Sequence, residues 1–227
     1  MNPPTARTDL PRLLLRLPGR WWQIPLTDRD DARASLHRLA RAQFGSSDDR
    51  AKLRRDFENR MLDGLEAAIE GEGQSFHVAM EVVRGVPIPA SITVFLPGQA
   101  MTPAIGTSPD AVLDVLERGL RQAAADRGAG DDLARIALRS SSALRLARRD
   151  RIEDSDGAMR EGLIVQYWLP IPGSKRVVLV SCSTPLLGLD DTMINFFDAI
   201  ARGARWDHDD ARLVALLDEE ATVVVDE

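Results

Sequence analysis

Between Leu163 and Thr184 the chain carries two apolar runs rich in Val, Ile, Tyr and Trp. Pro172-Gly173-Ser174 lies between the runs, with Pro to set φ and Gly to permit a positive φ, which predicts two strands joined by a tight turn. After Thr184-Pro185 the period lengthens. Leu189, Met193, Phe196, Phe197, Ile200 and Ala204 fall on one face of a helix, with Asp190 and Asp191 where a helix N-terminus favours carboxylates.

The same reading extends upstream. Residues 20–26 form an extended run, and Pro25 assigns it to a sheet edge. A helix over 30–44, with Thr27 or Asp28 as its cap, carries Ala32, Leu36, Leu39, Ala40 and Phe44 on its buried stripe. Gly45 ends it. A second helix begins at Ser46–Asp48, carries Leu53, Phe57, Met61, Leu65, Ala68 and Ile69, and ends near Gly71 or Gly73. Strands over 76–83 and 90–96 follow, separated by the proline-stiffened loop Arg84-Gly85-Val86-Pro87-Ile88-Pro89. Ser108-Pro109 opens a third helix over 109–127. Strands over 134–139 and 143–152 carry a concentration of arginine, in which Arg145 and Arg149 share one side while Arg148 lies with Leu144 and Leu146 on the other. A hairpin loop at 153–157 leads back into Leu163. Strands in antiparallel succession with inserted helices make the fold class α+β, a curved antiparallel sheet of about six to seven strands flanked by helices. The domain organisation expected is a flexible lead-in over 1–19, a single α+β domain over 20–206 and an acidic tail over 207–227.

Composition narrows the function more than it defines it. The 227-residue chain is 44% hydrophobic and 28% charged, ordinary for a globular protein, and its net charge of −6 disfavours general nucleic-acid binding. No apolar run approaches the ~20 residues of a membrane-spanning helix, and the start of the chain does not read as a secretory signal. The single cysteine, Cys182, excludes an internal disulfide. A cytoplasmic protein is expected.

Candidate chemistry is sparse. His37, His77 and His208 lack metal-ligand spacing, phosphate-binding glycine motifs are missing, and no cofactor or metal is expected. Ser181-Cys182-Ser183 lies inside a strand rather than on a strand-to-helix turn, and the alternation assigns Cys182 to an apolar face as a buried structural thiol. The arginines over 135–151 read either as a docking face for an acidic partner or the protein's own tail, or as a solvated face neutralised by nearby carboxylates. Trp21 and Trp22 point to opposite faces of one strand, so at most one belongs to a given core and the other is free for a helix or a partner. Trp21, Trp22, Arg145, Arg149, Pro87 and Ile88 are the residues assigned to partner binding.

Trp21-x-x-Ile24-Pro25-Leu26, Ile88-Pro89-Ala90-Ser91-Ile92-Thr93-Val94, Tyr167-Trp168-Leu169-Pro170-Ile171-Pro172-Gly173-Ser174, Ser183-Thr184-Pro185 and Phe196-Phe197-Asp198-Ala199-Ile200 together resemble a group of uncharacterised actinobacterial proteins. Their C-terminal half is similar to the PsbP-like α/β/α sandwich, which mycobacterial LpqN-type lipoproteins and a small Ran-binding import factor also use. The resemblance spans about residues 20–206 and rests on turns and core positions. It implies a binding or assembly role and, because some relatives lie near type VII secretion genes, an accessory or chaperone-like one. A lipoprotein signal cysteine near the start is not part of this sequence, a departure from the LpqN pattern.

Two functions follow. One is a cytoplasmic, non-catalytic protein that docks a protein partner through its sheet face or apolar loops. The other is a small-ligand binder or hydrolase with a carboxylate site between sheet and helices, built from Glu81, Glu161 or Asp198. The second requires those groups to converge in one pocket.

Overall fold

The computed structural model describes residues 11–26, 28–86, 88–97, 106, 108–127, 131–139, 141–153 and 159–207. In chain order these form β1 (Leu13–Leu14), β2 (Arg20–Pro25), α1 (Arg29–Phe44), a 3-10 turn (Asp48–Arg50), α2 (Ala51–Glu70), β3 (Gly73–Glu81), β4 (Ser91–Phe95) and α3 (Pro109–Arg127). There follow β5 (Asp132–Ala137), β6 (Ser142–Glu153), β7 (Met159–Pro170), β8 (Val177–Thr184), α4 (Asp190–Arg202) and β9 (Arg205–Trp206). Seven strands make one antiparallel sheet in the order β2-β3-β4-β8-β7-β6-β5, and β1 pairs with β9 in a small two-stranded ribbon. The sheet joins two meanders, β2-β3-β4 and β5-β6-β7-β8, through the β4–β8 pair. The expected α+β class with an antiparallel sheet flanked by helices is what the chain forms.

Strand alternation gives the sheet two chemically distinct faces. On one, Val165, Tyr167 and Leu169 of β7 lie with Val178, Val180 and Cys182 of β8 and Ile92 of β4, and α4 covers them with Met193, Phe197, Ile200 and Ala201. On the other, Ile24 of β2 and Phe76 and Val78 of β3 pack under Ala32, Leu36 and Leu39 of α1 and Leu65 and Ala68 of α2. α3 covers the far end of this second face, over β6 and β7. Asp28 caps α1 by accepting a hydrogen bond from Asp31 N at 2.9 Å, and Ser108 caps α3 by accepting from Ala111 N at 3.3 Å. Thr27, the alternative cap, lies outside the described residues.

Three local expectations change. From Pro11 onward the lead-in is built into the fold. Leu13 and Leu14 pair with Trp206 and Arg205, and Leu13, Leu15 and Leu17 pack against the main core. Leu189 is the N-cap of α4 rather than part of its buried stripe, and it is 51% exposed. Leu53, near the start of α2, is likewise exposed. The hairpin tip over 154–158 and the acidic tail beyond Asp207 lie outside the described residues.

Candidate functional site

Under α4 the apolar face carries one buried polar cluster. Asp198, 3% exposed, points from the helix into the sheet. Tyr167 Oη donates to its Oδ1 at 2.7 Å, while Arg145 Nη1 and Arg202 Nη2 donate to its Oδ2 at 3.2 and 3.3 Å. Arg145 Nη2 also donates to Asp132 Oδ2 at 2.6 Å. The chain of contacts runs α4–β7–β6–β5, so it ties the covering helix to three strands. Burial pushes the Tyr167 hydroxyl well above its ordinary range, with the hydrogen bond to Asp198 and its charge adding to the effect. Cys182, wholly buried, is raised by the same loss of water and by the nearby Asp198. Tyr167 is therefore a neutral hydrogen-bond donor and Cys182 a protonated thiol with little nucleophilic character.

One end of the sheet has a different chemistry. Here β3 finishes and β4 begins, β8 finishes, α4 begins, and the β6–β7 hairpin passes. Val83 and Val86 form a bridge across a tight turn with Gly85 at φ 74°, and Gly85 N donates to Glu81 Oε1 at 3.0 Å. At the same end of the sheet, the loop after β8 carries Leu187 and Leu189. Thr184 Oγ1 donates to Pro89 O at 2.7 Å and joins the bases of the two loops. Six large apolar side chains stand exposed among the described residues, and four of them, Val83, Val86, Leu187 and Leu189, belong to this rim. Charge flanks it on both sides: Arg20 pairs with Glu81 at 3.4 Å, and Arg149 Nε donates to Asp190 Oδ2 at 2.8 Å. A depression of about 390 Å³ continues from Asp190 and Ile194 of α4 to Asp132 of β5, and another of about 500 Å³ follows Arg149, Asp150, Arg151 and Glu161 along the hairpin.

The six residues assigned to partner binding do not form one patch. Arg149 stands 60% exposed beside the rim, and Ile88 packs partly buried against the main core at the base of the same loop. Pro87 lies outside the described residues. Arg145 is turned inward to Asp198 and Asp132. Trp21 and Trp22 do point to opposite faces. Trp21 Nε1 donates to Pro18 O at 2.7 Å, and Trp22 Nε1 donates to Ser35 Oγ of α1 at 3.1 Å. Most of the arginine stripe finds carboxylates: Arg135 with Asp114 and Glu117, Arg148 with Asp150, Arg149 with Asp190, Arg151 with Glu161.

The carboxylates of the alternative reading are kept apart. Glu81 pairs with Arg20 at the end of β3, Glu161 pairs with Arg151 on the projecting hairpin, and Asp198 is buried under α4. None shares a partner with another. His37 contacts Glu58 at 2.9 Å, His77 contacts Ser75 at 3.0 Å, and no group of three or more His, Cys, Asp and Glu side chains is poised for a metal among the described residues. No helix among them is long and apolar enough to cross a membrane.

In sequence the proline-stiffened loop over 84–89 stands out, whereas the exposure of Val83, Leu187 and Leu189 does not: Val83 continues an apolar strand pattern, Leu189 fits a helix stripe, and Leu187 carries no periodic signal. Gly188 directly before Leu189, a helix-breaking residue, was the one available sign that Leu189 precedes the helix.

Neither a family model nor a curated protein matches the chain. Among solved structures it is similar to LpqN of Mycobacterium tuberculosis, described as involved in cell envelope biogenesis. That similarity is 15% identity over 86% of this chain and 83% of that one, with a TM-score of 0.40.

Proposed function

We propose that this protein is a non-catalytic accessory protein that binds another protein through the apolar rim at one end of its sheet. The observation that carries the reading is the exposure of Val83, Val86, Leu187 and Leu189 on two loops held together at their bases. Exposed apolar residues gathered in one place, bordered by charge, suit the anchor pockets and polar rim of a protein interface. Arg149 and Asp190 border that patch and supply orientation. The reading extends to an adaptor or chaperone-like role linked to type VII secretion, which rests on the resemblance in sequence, in a chain expected from its composition to be cytoplasmic.

The test is purification of the tagged, full-length chain from its native host, alongside Val83→Asp and Leu189→Asp variants. Both side chains are exposed, so both variants are expected to keep the wild-type melting temperature within about 0.5 kcal/mol of stability. A protein bound at stoichiometric amount to wild type and lost from both variants is the expected result. Equal recovery of that protein with either variant contradicts the assignment of the rim.

A further inference from the structure

Among the described residues the sheet ends in two edge strands, β2 and β5, and they differ. β2 carries the devices that discourage edge pairing: Pro25 at its end and a register shift between Arg20 and Trp21. β5, Asp-Leu-Ala-Arg-Ile-Ala, has neither. It pairs with β6 in unbroken register from Asp132↔Ala147 to Ala137↔Ser142. Leu138 N donates to Ser141 O at 2.9 Å, which fixes the alternation of the ladder. Residues 132, 134 and 136 therefore turn their backbone groups toward β6, and Leu133, Arg135 and Ala137 turn theirs outward. The two charged side chains of β5 do not guard that edge. Asp132 is held by Arg145 on one face, and Arg135 by Asp114 and Glu117 of α3 on the other. α3 packs over β6 and β7 and α4 over β7, one or two strands inboard. Among the described residues no strand lies beyond β5.

From this geometry we infer that β5 pairs antiparallel with β5 of a second copy of the chain, joining two sheets into one. A two-fold axis normal to the sheet keeps each face continuous, so only registers centred on a residue are allowed. Centred on Ala134, the register sets Leu133 opposite Arg135 and Asp132 opposite Ile136 of the second copy, with two alanines at the axis. The outward groups of Leu133 and Arg135 meet as a hydrogen-bonded pair, and the diagonal neighbours of Arg135 are Asp131 and Arg135 of the second copy, one of each sign. Centred on Arg135, the register sets two arginines face to face. The uncovered stretch of β6 past Ala147 is unsuited to the same pairing. Two-fold registers there centred on Arg148, Arg149, Asp150 or Arg151 put like charges directly opposite, which destabilises a pair, and one centred on Ile152 leaves only the Arg151–Glu153 pair on each side within β6. Self-complementarity therefore belongs to β5.

The experiment is sedimentation of the full-length chain over a range of concentration, with hydrogen exchange read at single amides. A dimer that dissociates on dilution is expected, with the amides of Leu133, Arg135 and Ala137 slow to exchange in the dimer and fast in the monomer. Leu133→Pro removes an outward donor without touching the β5–β6 ladder and is expected to raise the dimer dissociation constant about tenfold or more, two hydrogen bonds being lost by symmetry. Ala137→Pro, at an exposed position, is the gentler second variant and is expected to weaken the dimer in the same direction. A chain that stays monomeric at every concentration overturns the inference. So does protection of the three amides that is independent of concentration, which would assign the edge to the chain's own acidic tail. A dimer unchanged in both folded proline variants overturns it as well.

Discussion

At the scale of single residues, Asp198 is where the largest effects are expected. It is a buried carboxylate with three donors from three elements, and each donor satisfies a charge that water no longer reaches. Tyr167→Phe removes one neutral donor to a charged acceptor and is expected to lower stability by about 1.5–3 kcal/mol in denaturant unfolding. Asp198→Ala leaves Arg145 without its buried partner and is expected to cost more, about 3–5 kcal/mol. A smaller loss for Asp198→Ala than for Tyr167→Phe would contradict the clamp. Cys182 supplies a separate check. Protonated and wholly buried, it is expected to resist a thiol reagent in the native protein and react on unfolding. His77 adds a dependence on pH. Burial lowers its pKa below the ordinary value of 6.5, so the unfolded chain binds the proton more readily than the fold does. Its contribution is complete above pH 6.5 and declines as pH falls through the folded pKa. His77→Gln is expected to flatten the melting-temperature profile on the acid side of that value, and an unchanged profile would remove His77 as its source.

At the scale of elements, the segment before β2 acts as a strap across the face that α4 covers, and Gly19 is where it turns into the sheet. Its φ is 78°, and a Cβ there would lie 2.4 Å from Glu81 O and 2.7 Å from Val82 Cα. Gly19→Ala meets a left-handed backbone, worth about 1–2 kcal/mol by itself, and a backbone clash besides. Its unfolding midpoint is expected to fall well below wild type, and a neutral effect would mean the strap is not packed as described. Much of this level was legible in the chain. The caps at Asp28 and Ser108, the turn at Gly173 and the α3 span over 109–127 follow from local chemistry that acts over a few residues. What was not legible is where an apolar period stops belonging to a helix. Leu53 and Leu189 fit the 3.6-residue stripe of their helices, yet both lie in the first turn or at the cap, where the helix has run past the sheet it covers. Periodicity reports direction around a helix axis and is silent about position along it.

For the whole molecule, the alternating runs identify strands and their faces, and the placement of Arg145 and Arg149 opposite Leu144 and Leu146 follows from that alone. The order of the strands does not. Pairing β4 with β8 brings residues about ninety positions apart into one ladder, and no local signal encodes that choice. The candidate site depends on it, because the loop of Val83 and Val86 and the loop of Leu187 and Leu189 come to the same end of the sheet, joined through Thr184 and Pro89, only once β4 and β8 are neighbours. The return of α4 over β7 explains why the arginine stripe reads as a docking face in sequence and as a set of ion pairs in the fold: the carboxylates that neutralise Arg145 and Arg149, Asp198 and Asp190, arrive from α4, some forty to fifty positions away. The decisive measurement is the affinity of the copurifying protein for wild type, for the double variant Val83→Asp/Leu189→Asp, and for Leu53→Asp, an exposed apolar position on α2 and outside the two rim loops. Loss of about a hundredfold or more in the double variant, with Leu53→Asp near wild type, is the predicted result for anchor residues of an interface. Equal affinity of all three proteins would contradict the rim as the binding site.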